Sequence, residues 1–384
     1  MIFRNSKEKI LEMVKKFPIL VFTGPRQSGK TTLSRMIFPN YRYVSLENPD
    51  NFFFAQNDPK GFLKIYDKFV IFDEAQNAPH LFSYLQQIVD DSGISGQFIL
   101  SGSQNFLMLE RITQSLAGRV YIMELLPLSY SEIVTVKKQN VFQSIVHGGY
   151  PRIYDKSIAP SDFYPSYIQT YIERDVRTMV QVHDLTLFRK FIDLCAHHVG
   201  QIFNANHFSK LLGLDNKTVQ RWLSILETSY IAFTLKPWHK NFQKRVVKSA
   251  KLYFYDTGLV SHLIGIDSDE EIVTSVYKVA LFENYALIEI MKYHKNKGIN
   301  RRYYFWRDSN GNEIDLIIEK GLKVKCVEMK SSETVKSEFL KSLHYLDDLD
   351  PSLQMSHYLV NTQDSSQKRS DETIVSWKEI EMIG

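Results

Sequence analysis

The first third of the chain alternates short apolar runs with longer amphipathic or polar stretches. Short apolar runs that end at polar turns are typical of strands buried on both faces. Five segments have this pattern, namely residues 18–23, 41–46, 68–72, 97–100 and 119–125. Because helical stretches separate them, the pattern predicts an α/β fold, with a parallel sheet that helices cover on both faces.

The middle of the chain changes to helical spacing. A predicted helix over residues 217–227 follows a shorter helix that ends before Gly213. The longer helix would bury one apolar face, formed by Val219, Trp222, Leu223 and Leu226. Two strands, 231–235 and 251–255, then predict a hairpin. This order of helix, turn, helix and hairpin indicates a winged-helix domain.

The last third of the chain shows strand-like alternation. Residues 313–318 and 323–330 predict two strands joined by a turn. Every second side chain of a strand lies on the same face, so Glu328 and Lys330 share a face of the second strand. Asp315 lies on the first strand of this predicted hairpin. Charged side chains are therefore concentrated on two neighbouring strands.

Composition limits the class of protein. A chain of 384 residues with 44% hydrophobic residues suggests two or three globular domains. No apolar run approaches the ~18 residues of a membrane span, and the first residues are too charged for a signal peptide. Cys195 and Cys326 are too isolated for a disulfide framework or a cysteine zinc site. We therefore expect a cytoplasmic protein with no membrane partner.

A phosphate-binding motif follows the first predicted strand. Residues 24–31 have the sequence GPRQSGKT, which is the pattern G-x-x-x-x-G-K-[ST] between a strand and a helix. Such a loop aims backbone N–H groups at phosphates, where the helix dipole also favours an anion. Lys30 would reach the β- and γ-phosphates, and the Thr31 hydroxyl would bind Mg²⁺. The residues expected to hold ATP are Gly24, Pro25, Arg26, Gln27, Ser28, Gly29, Lys30, Thr31 and Thr32.

Acidic and polar residues end two further strands of this segment. Asp73 and Glu74 follow the strand at 68–72, at the edge of the sheet where ligands bind in open α/β folds. Asp73 would hold Mg²⁺ through water, and Glu74 would polarise the attacking water. The strand at 97–100 should lie between the two motif strands, and Ser103 or Ser101 after it would sense the γ-phosphate.

The motifs together resemble a known family. Seven strings carry the resemblance: GPRQSGKTTL, VIFDEAQ, ILSGSQ, SLAGRV, LLPLSYSE, GGYP and YIERDV. They are similar to those of bacterial and archaeal AAA-type ATPases with a C-terminal nuclease-like domain of unknown function. The resemblance spans essentially the whole chain, and it implies a P-loop ATPase domain that hydrolyses ATP with Mg²⁺.

The resemblance also implies two further site residues. Pro151, in GGYP, would lie against the adenine. Arg119, in SLAGR, would meet the γ-phosphate, either in cis or from a neighbouring subunit, which would make the protein a homo-oligomer. Arg174 and Arg177 are alternatives for this arginine. A plain turn at Pro151 and a surface role for Arg119 remain open.

Basic residues concentrate in the winged-helix segment. Residues 199–251 contain nine Lys and Arg against two acids, a net charge of +7 in a chain of +4. DNA is therefore a candidate partner. The residues expected to contact it are Lys217, Thr218, Gln220, Arg221, Lys244 and Arg245. A winged helix used only for packing, or for an unknown protein partner, is the alternative.

The last segment resembles the PD-(D/E)xK nuclease core, a restriction-endonuclease-like α/β domain. Asp315 and Glu328 would bind Mg²⁺, Glu283 on a preceding helix would complete the site, and Lys330 would activate water. Carboxylates cluster in this way when a cation offsets their repulsion. Whether the domain cleaves nucleic acid stays open.

Two hypotheses follow for a chain with predicted domains at 1–180, 181–262 and 263–384. The first is an ATPase that acts on DNA and carries a metal-dependent nuclease. The second is an ATP-driven regulatory switch that binds DNA or a protein without cleavage. The two differ at Asp315 and Lys330.

Overall fold

The computed structural model describes residues 2–102, 115–172, 185–238, 250–349 and 353–384. The candidate residues outside these ranges are Ser103, Arg174, Arg177, Lys244 and Arg245. The chain divides into two compact units, one formed by residues 3–128 with 295–298, the other by residues 129–294 with 299–384.

The first unit contains a parallel five-stranded sheet. Its strands are β1 (Ile19–Thr23), β2 (Arg42–Ser45), β3 (Val70–Asp73), β4 (Phe98–Ser101) and β5 (Val120–Glu124). Their order is β2-β3-β4-β1-β5, so β4 lies between the two motif strands as predicted. The five predicted strands and their parallel pairing are confirmed.

Helices cover both faces of this sheet. Alternate residues of β1 enter two different apolar clusters, Ile19 and Val21 in one and Leu20 and Phe22 in the other. This burial on both faces explains why the strand is continuously apolar. The helices that the structure describes in this unit are Lys7–Met13, Lys30–Ile37, Pro49–Asn57, Pro59–Ile65 and Leu81–Ser92.

The second unit contains helices before and between its strands. Those in the described residues are Tyr130–Ile133, Val141–His147, Pro151–Asp155, Pro160–Tyr167, Leu185–His197, Ala205–Leu212, Asn216–Thr228, Thr257–Leu263, Asp269–Thr274, Lys278–Asn296 and Lys341–Leu349. Among the helices that the structure describes, none has both the length and the apolar character needed to cross a membrane.

The helix-turn-helix is present at the predicted place. The first helix, Ala205–Leu212, ends at Gly213, whose φ of 67° is the left-handed conformation that glycine adopts without strain. The second, Asn216–Thr228, begins at Asp215, whose side chain accepts the backbone N–H of Thr218 at 2.9 Å. This N-cap satisfies one of the unpaired donors of the first turn.

An eight-stranded mixed sheet completes the second unit. Its strands are β6 (Ala232–Pro237), β7 (Lys251–Phe254), β8 (Arg302–Arg307), β9 (Glu313–Lys320), β10 (Lys323–Lys330), β11 (Gln354–Asn361), β12 (Gln367–Lys368) and β13 (Glu372–Ser376). The order is β12-β13-β11-β10-β9-β8-β6-β7. The β6–β7 and β9–β10 pairs are antiparallel, as the two predicted hairpins require.

The division into units differs from the three domains expected from the sequence. Residues 129–172 group with the second unit, not with the phosphate loop. Asp256 explains part of this grouping, since its carboxylate accepts hydrogen bonds from Gly149 N at 2.7 Å and from the Tyr164 hydroxyl at 2.7 Å. Strand β6, which belongs to the segment expected to form a winged helix, also pairs with β8, so both segments share one sheet.

Candidate functional site

The phosphate loop begins with a glycine in a position that excludes side chains. Gly24 follows β1 with a φ of 136°, and a Cβ there would lie 2.2 Å from the carbonyl oxygen of Leu125. At the other end of the loop, Gly29 has a φ of 92° and is the N-cap of the helix Lys30–Ile37. Both glycines allow the backbone to turn directly from strand into helix.

The two reactive side chains of the motif lie at the start of this helix. Lys30 is 7% exposed, and its Nζ donates hydrogen bonds to the carbonyl oxygens of Gly24 at 2.9 Å and Pro25 at 2.7 Å. Thr31 Oγ1 donates to Asp73 Oδ2 at 2.9 Å. The strand order therefore brings the hydroxyl and the carboxylate expected at Mg²⁺ into direct contact, although they are distant in sequence.

Asp73 has two further donors. Ser101 at the end of β4 donates a hydrogen bond to its Oδ1, and Tyr43 on β2 donates one to Oδ2 at 2.7 Å. Burial, and then the hydrogen bond to Asp73, raise the pKa of Tyr43. Sequence reasoning named Ser101 as an alternative phosphate sensor but missed Tyr43. The signal for Tyr43 was its position on a strand parallel to the one that ends at Asp73.

Glu74 begins the turn after β3. Its φ of 52° is left-handed, and its carboxylate accepts a hydrogen bond from the Gln76 side chain. A non-glycine residue in this conformation costs free energy, which often marks a functional position.

The buried Ser28 hydroxyl is a further indication that this loop binds a phosphate group. Ser28 Oγ is buried and has no hydrogen-bond partner among the described residues. A buried polar atom without a partner is costly unless a ligand satisfies it. Sequence reasoning missed Arg4, which stabilises the loop backbone. Its guanidinium donates hydrogen bonds to the carbonyl oxygens of Ser28 at 2.9 Å and Leu126 at 2.7 Å.

Arg119 lies at the amino ends of the strands, whereas the phosphate loop lies at their carboxyl ends. Its carbonyl accepts the N–H of Ile19 at the start of β1, whereas the phosphate loop follows Thr23 at the end of that strand. Five strand residues span roughly 16 Å. The guanidinium also forms a two-pronged ion pair with Asp90, at 2.6 and 2.7 Å. A contact of Arg119 with the nucleotide, in cis or in trans, stays a prediction, and this position favours the contact in trans.

Pro151 lies in the second unit. It is the first residue of the helix Pro151–Asp155, a position that suits the fixed φ of proline. The preceding Gly148 has a φ of 64°, and a Cβ there would lie 2.2 Å from the Tyr164 hydroxyl. The GGYP turn thus has a structural explanation in its own unit, and its contact with adenine stays a prediction.

The acidic residues of the last segment do gather at one place. Asp315 Oδ2 accepts the backbone N–H of Met329 at 2.8 Å. Lys330 Nζ lies 2.8 Å from Glu328 Oε2 and 3.8 Å from Asp315 Oδ2. Burial, and then the charge of Asp315, raise the pKa of Glu283 to about 7. The same causes raise the pKa of Glu328 to about 9.

A lysine that sequence reasoning placed elsewhere also belongs to this cluster. Lys251 Nζ donates to Glu283 Oε1 at 3.0 Å and forms an ion pair with Glu313. The Tyr253 hydroxyl donates to the same oxygen of Glu283. Lys251 was counted in the basic stretch of the winged helix, but it is buried and paired. Its apolar neighbours in β7 were the signal that it would be buried.

The second helix of the helix-turn-helix presents its polar face to solvent. Lys217, Gln220 and Arg221 are exposed, while Val219 and Trp222 are buried. Thr218 is half-buried, and its hydroxyl donates to Asp215 at 2.5 Å as part of the N-cap. Of the predicted nucleic-acid contacts within the described residues, three are therefore exposed on one element.

Three segments of the chain match family models. Residues 16–134 match one described as an AAA domain. Residues 138–270 and 278–380 each match a domain of unknown function (DUF8612 and DUF4143). The first segment is thus an AAA-type ATPase domain, and such domains bind nucleotide, typically with Mg²⁺.

Similar proteins extend over most of the chain. An uncharacterized protein of Mycobacterium tuberculosis is 29% identical over an alignment of 345 residues, and the match covers 86% of this chain and 74% of the relative. An uncharacterized protein of Methanocaldococcus jannaschii is 22% identical over an alignment of 361 residues, and the match covers 84% of this chain and 77% of the relative. A solved Walker-type ATPase of Pyrococcus abyssi shares 13% identity at a TM-score of 0.45, covering 67% of this chain and 94% of that one.

Proposed function

We propose that this protein hydrolyses ATP with Mg²⁺ at the phosphate loop of its first unit. The hydrogen bond between Thr31 and Asp73 supports this most directly, because a hydroxyl and a carboxylate in contact are the two ligands that P-loop enzymes offer to the metal. Lys30 would neutralise phosphate charge, and Glu74 would orient the attacking water. When bound, Mg²⁺ would stabilise the charge that develops on the phosphate oxygens.

Two substitutions test this site. Lys30→Ala should abolish ATP binding, measured with a fluorescent analogue. Glu74→Gln should keep ATP binding and lose turnover, so that ATP is trapped. Glu47→Gln, which removes an exposed acid after the neighbouring strand β2, is the matched control and should turn ATP over normally. Normal turnover in Glu74→Gln would contradict the role of Glu74.

A second candidate activity is metal-dependent cleavage of nucleic acid by the last segment. The contacts of Lys330 with Glu328 and Asp315 favour it, since two carboxylates beside an amine suit a Mg²⁺ ion and an activated water. When bound, the metal would be held by Asp315, Glu328 and Glu283. The ion pairs of Lys251 favour the alternative of a switch without cleavage, because they already neutralise Glu283.

A nuclease assay separates the two. Single- and double-stranded DNA and RNA would be incubated with the full chain and Mg²⁺ or Mn²⁺, with and without ATP. The nuclease would be supported if Lys330→Ala lost cleavage while Lys323→Ala kept it. Lys323 is the control because it is an exposed lysine of the same strand. Intact substrates under all conditions would leave the switch as the better hypothesis.

The polar face of the winged helix supports a DNA-binding role in either case. Lys217 and Arg221 would contact phosphates, and Gln220 would reach base edges, with Lys244 and Arg245 as further candidates from the sequence. An arginine acting in trans would require an oligomer. Mixing Lys30→Ala and Arg119→Ala subunits tests this, and the absence of rescued turnover would count against it.

A further inference from the structure

A group of histidine and aspartate side chains lies on the second unit, outside the acidic cluster described above. His344 and Asp347 are three residues apart on the helix Lys341–Leu349, so they project from one face of it. His357 lies on β11 beneath that helix. One ligand atom from each of the three side chains can be chosen so that all lie within 4.8 Å of one another.

The register of the sheet adds a carboxylate to this group. His357 is paired directly with Glu372 on β13, so their side chains share a face of the sheet. Glu372 Oε2 lies 3.9 Å from His344 Nε2, while His344 Nδ1 lies 3.9 Å from Asp347 Oδ2. The two nitrogens of His344 thus face two different acids.

His357 supplies an independent observation. It is 8% exposed, and its Nε2 has no hydrogen-bond partner among the described residues. Asp347 Oδ1 lies 3.2 Å from this nitrogen, but the approach is not aligned as a hydrogen bond. A buried ring nitrogen without a partner normally costs free energy, and a metal ion is one group that satisfies it.

We propose that His344, Asp347 and His357 bind a divalent transition-metal ion, with Zn²⁺ as the best match. Two imidazole nitrogens and one carboxylate oxygen are the ligand set of three-residue zinc sites that keep a fourth position open. Ligand atoms of a tetrahedral zinc ion lie about 3.3 Å apart. Asp347 Oδ1 lies 3.2 Å from His357 Nε2 and Asp347 Oδ2 lies 3.9 Å from His344 Nδ1, and one ligand atom from each of the three residues lies within 4.8 Å of the others. Glu372 would orient His344 through Nε2, which leaves Nδ1 for the metal.

The site is chemically distinct from the acidic cluster on the same sheet. Carboxylates such as those of Asp315 and Glu328 prefer hard cations, whereas imidazoles prefer zinc, cobalt and nickel. His357 pairs with Cys326, which is two residues before Glu328 on β10. By strand geometry the Cα atoms of His357 and Glu328 are about 8 Å apart. Substitutions can therefore address either group alone.

The test uses the full chain, stripped of metal with a chelator and free of nucleotide. Zn²⁺ would be titrated in by calorimetry, and Co²⁺ by its absorption spectrum, which reports nitrogen ligands in low coordination numbers. We expect about one tight Zn²⁺ per chain. His344→Ala and Asp347→Asn should each weaken binding roughly 100-fold. Both side chains are half-exposed, so neither change should impair folding.

Two controls make the outcome decisive. His197→Ala removes an exposed histidine from another helix of the same unit and should leave Zn²⁺ binding unchanged. Asp315→Asn should also leave it unchanged, because that residue belongs to the acidic cluster. Equal affinity in wild type and His344→Ala would overturn the proposal, as would loss of Zn²⁺ binding in Asp315→Asn instead. ATP turnover does not enter the readout, so the result is independent of the proposed ATPase.

Discussion

Hydroxyl groups hold the Asp73 carboxylate, which we propose for the Mg²⁺ site, and Tyr43 provides one of them. Asp73 accepts hydrogen bonds from three hydroxyls, those of Thr31, Ser101 and Tyr43. Thr31 would turn to the metal when the nucleotide binds, so the other two donors would hold the carboxylate in place. Outer donors of this kind usually affect metal affinity as strongly as a weak ligand does.

Removal of the Tyr43 hydroxyl should therefore impair Mg²⁺-dependent turnover. We expect Tyr43→Phe to lower kcat/KM for Mg²⁺-ATP by about 10-fold and to raise the Mg²⁺ concentration needed for half-maximal rate. Tyr41→Phe is the matched control, because the Tyr41 hydroxyl bonds to Gly96 O at 2.7 Å and has no contact with Asp73. An equal loss in both variants would mean that Tyr43 acts only on stability.

At the scale of elements, the Arg119–Asp90 pair joins the start of β5 to the helix Leu81–Ser92. Because this pair lies at the amino ends of the strands, neither residue should affect nucleotide binding within the chain. We expect Arg119→Ala and Asp90→Ala both to keep the wild-type Kd for ATP, measured by fluorescence titration. Weaker ATP binding in Arg119→Ala alone would show that the arginine reaches the nucleotide of its own chain.

Two acidic side chains, Asp315 on β9 and Glu328 on β10, repel each other when both are charged. Burial and the neighbouring Asp315 raise the pKa of Glu328 in the folded protein, while the unfolded chain keeps the ordinary value near 4.5. Between these two values the folded state retains a proton that the unfolded state loses. The stabilisation is therefore complete below the unfolded pKa and is lost as the pH rises through the folded pKa.

A pH series checks this sign. With a chelator present, we expect the Tm to decrease as the pH is raised from about 5 to about 8. The decrease should be smaller in Glu328→Gln. Glu338→Gln, an exposed glutamate of the same unit, should follow the wild type. A Tm that rises with pH in the wild type while the slope is unchanged in Glu328→Gln would contradict the assignment.

At the scale of the whole molecule, sequence separation decided what could be predicted. The β9–β10 hairpin depends on residues close in the chain, and the alternation of side chains was enough to predict it. The pairing of β6 with β8 joins segments about 70 residues apart and has no local pattern. The ion pair of Lys251 with Glu283 joins a strand to a helix residue 32 positions later. No local pattern shows this contact, which is why Lys251 was counted with the basic stretch.

The exposed basic residues lead to a prediction about how the complete chain binds DNA. With Lys251 buried, any basic surface of the helix Asn216–Thr228 depends on exposed residues such as Lys217 and Arg221, which lie one helical turn apart. Each cation that contacts a DNA phosphate releases counterions, so affinity should fall steeply with salt. We expect Lys217→Gln/Arg221→Gln to weaken binding to a short duplex and to reduce the slope of log K against log salt by about 2.

A second double variant tests whether the loss of DNA affinity comes from these two helix residues or from the change in net charge. Lys320→Gln/Lys323→Gln removes the same charge from two exposed residues, one at the end of β9 and one at the start of β10. Fluorescence anisotropy at several salt concentrations should give it the wild-type slope. If both double variants reduced the slope equally, the attraction would be a property of the whole surface. A wild type whose binding ignored salt would point to a protein partner, because only phosphate contacts couple affinity so strongly to counterions.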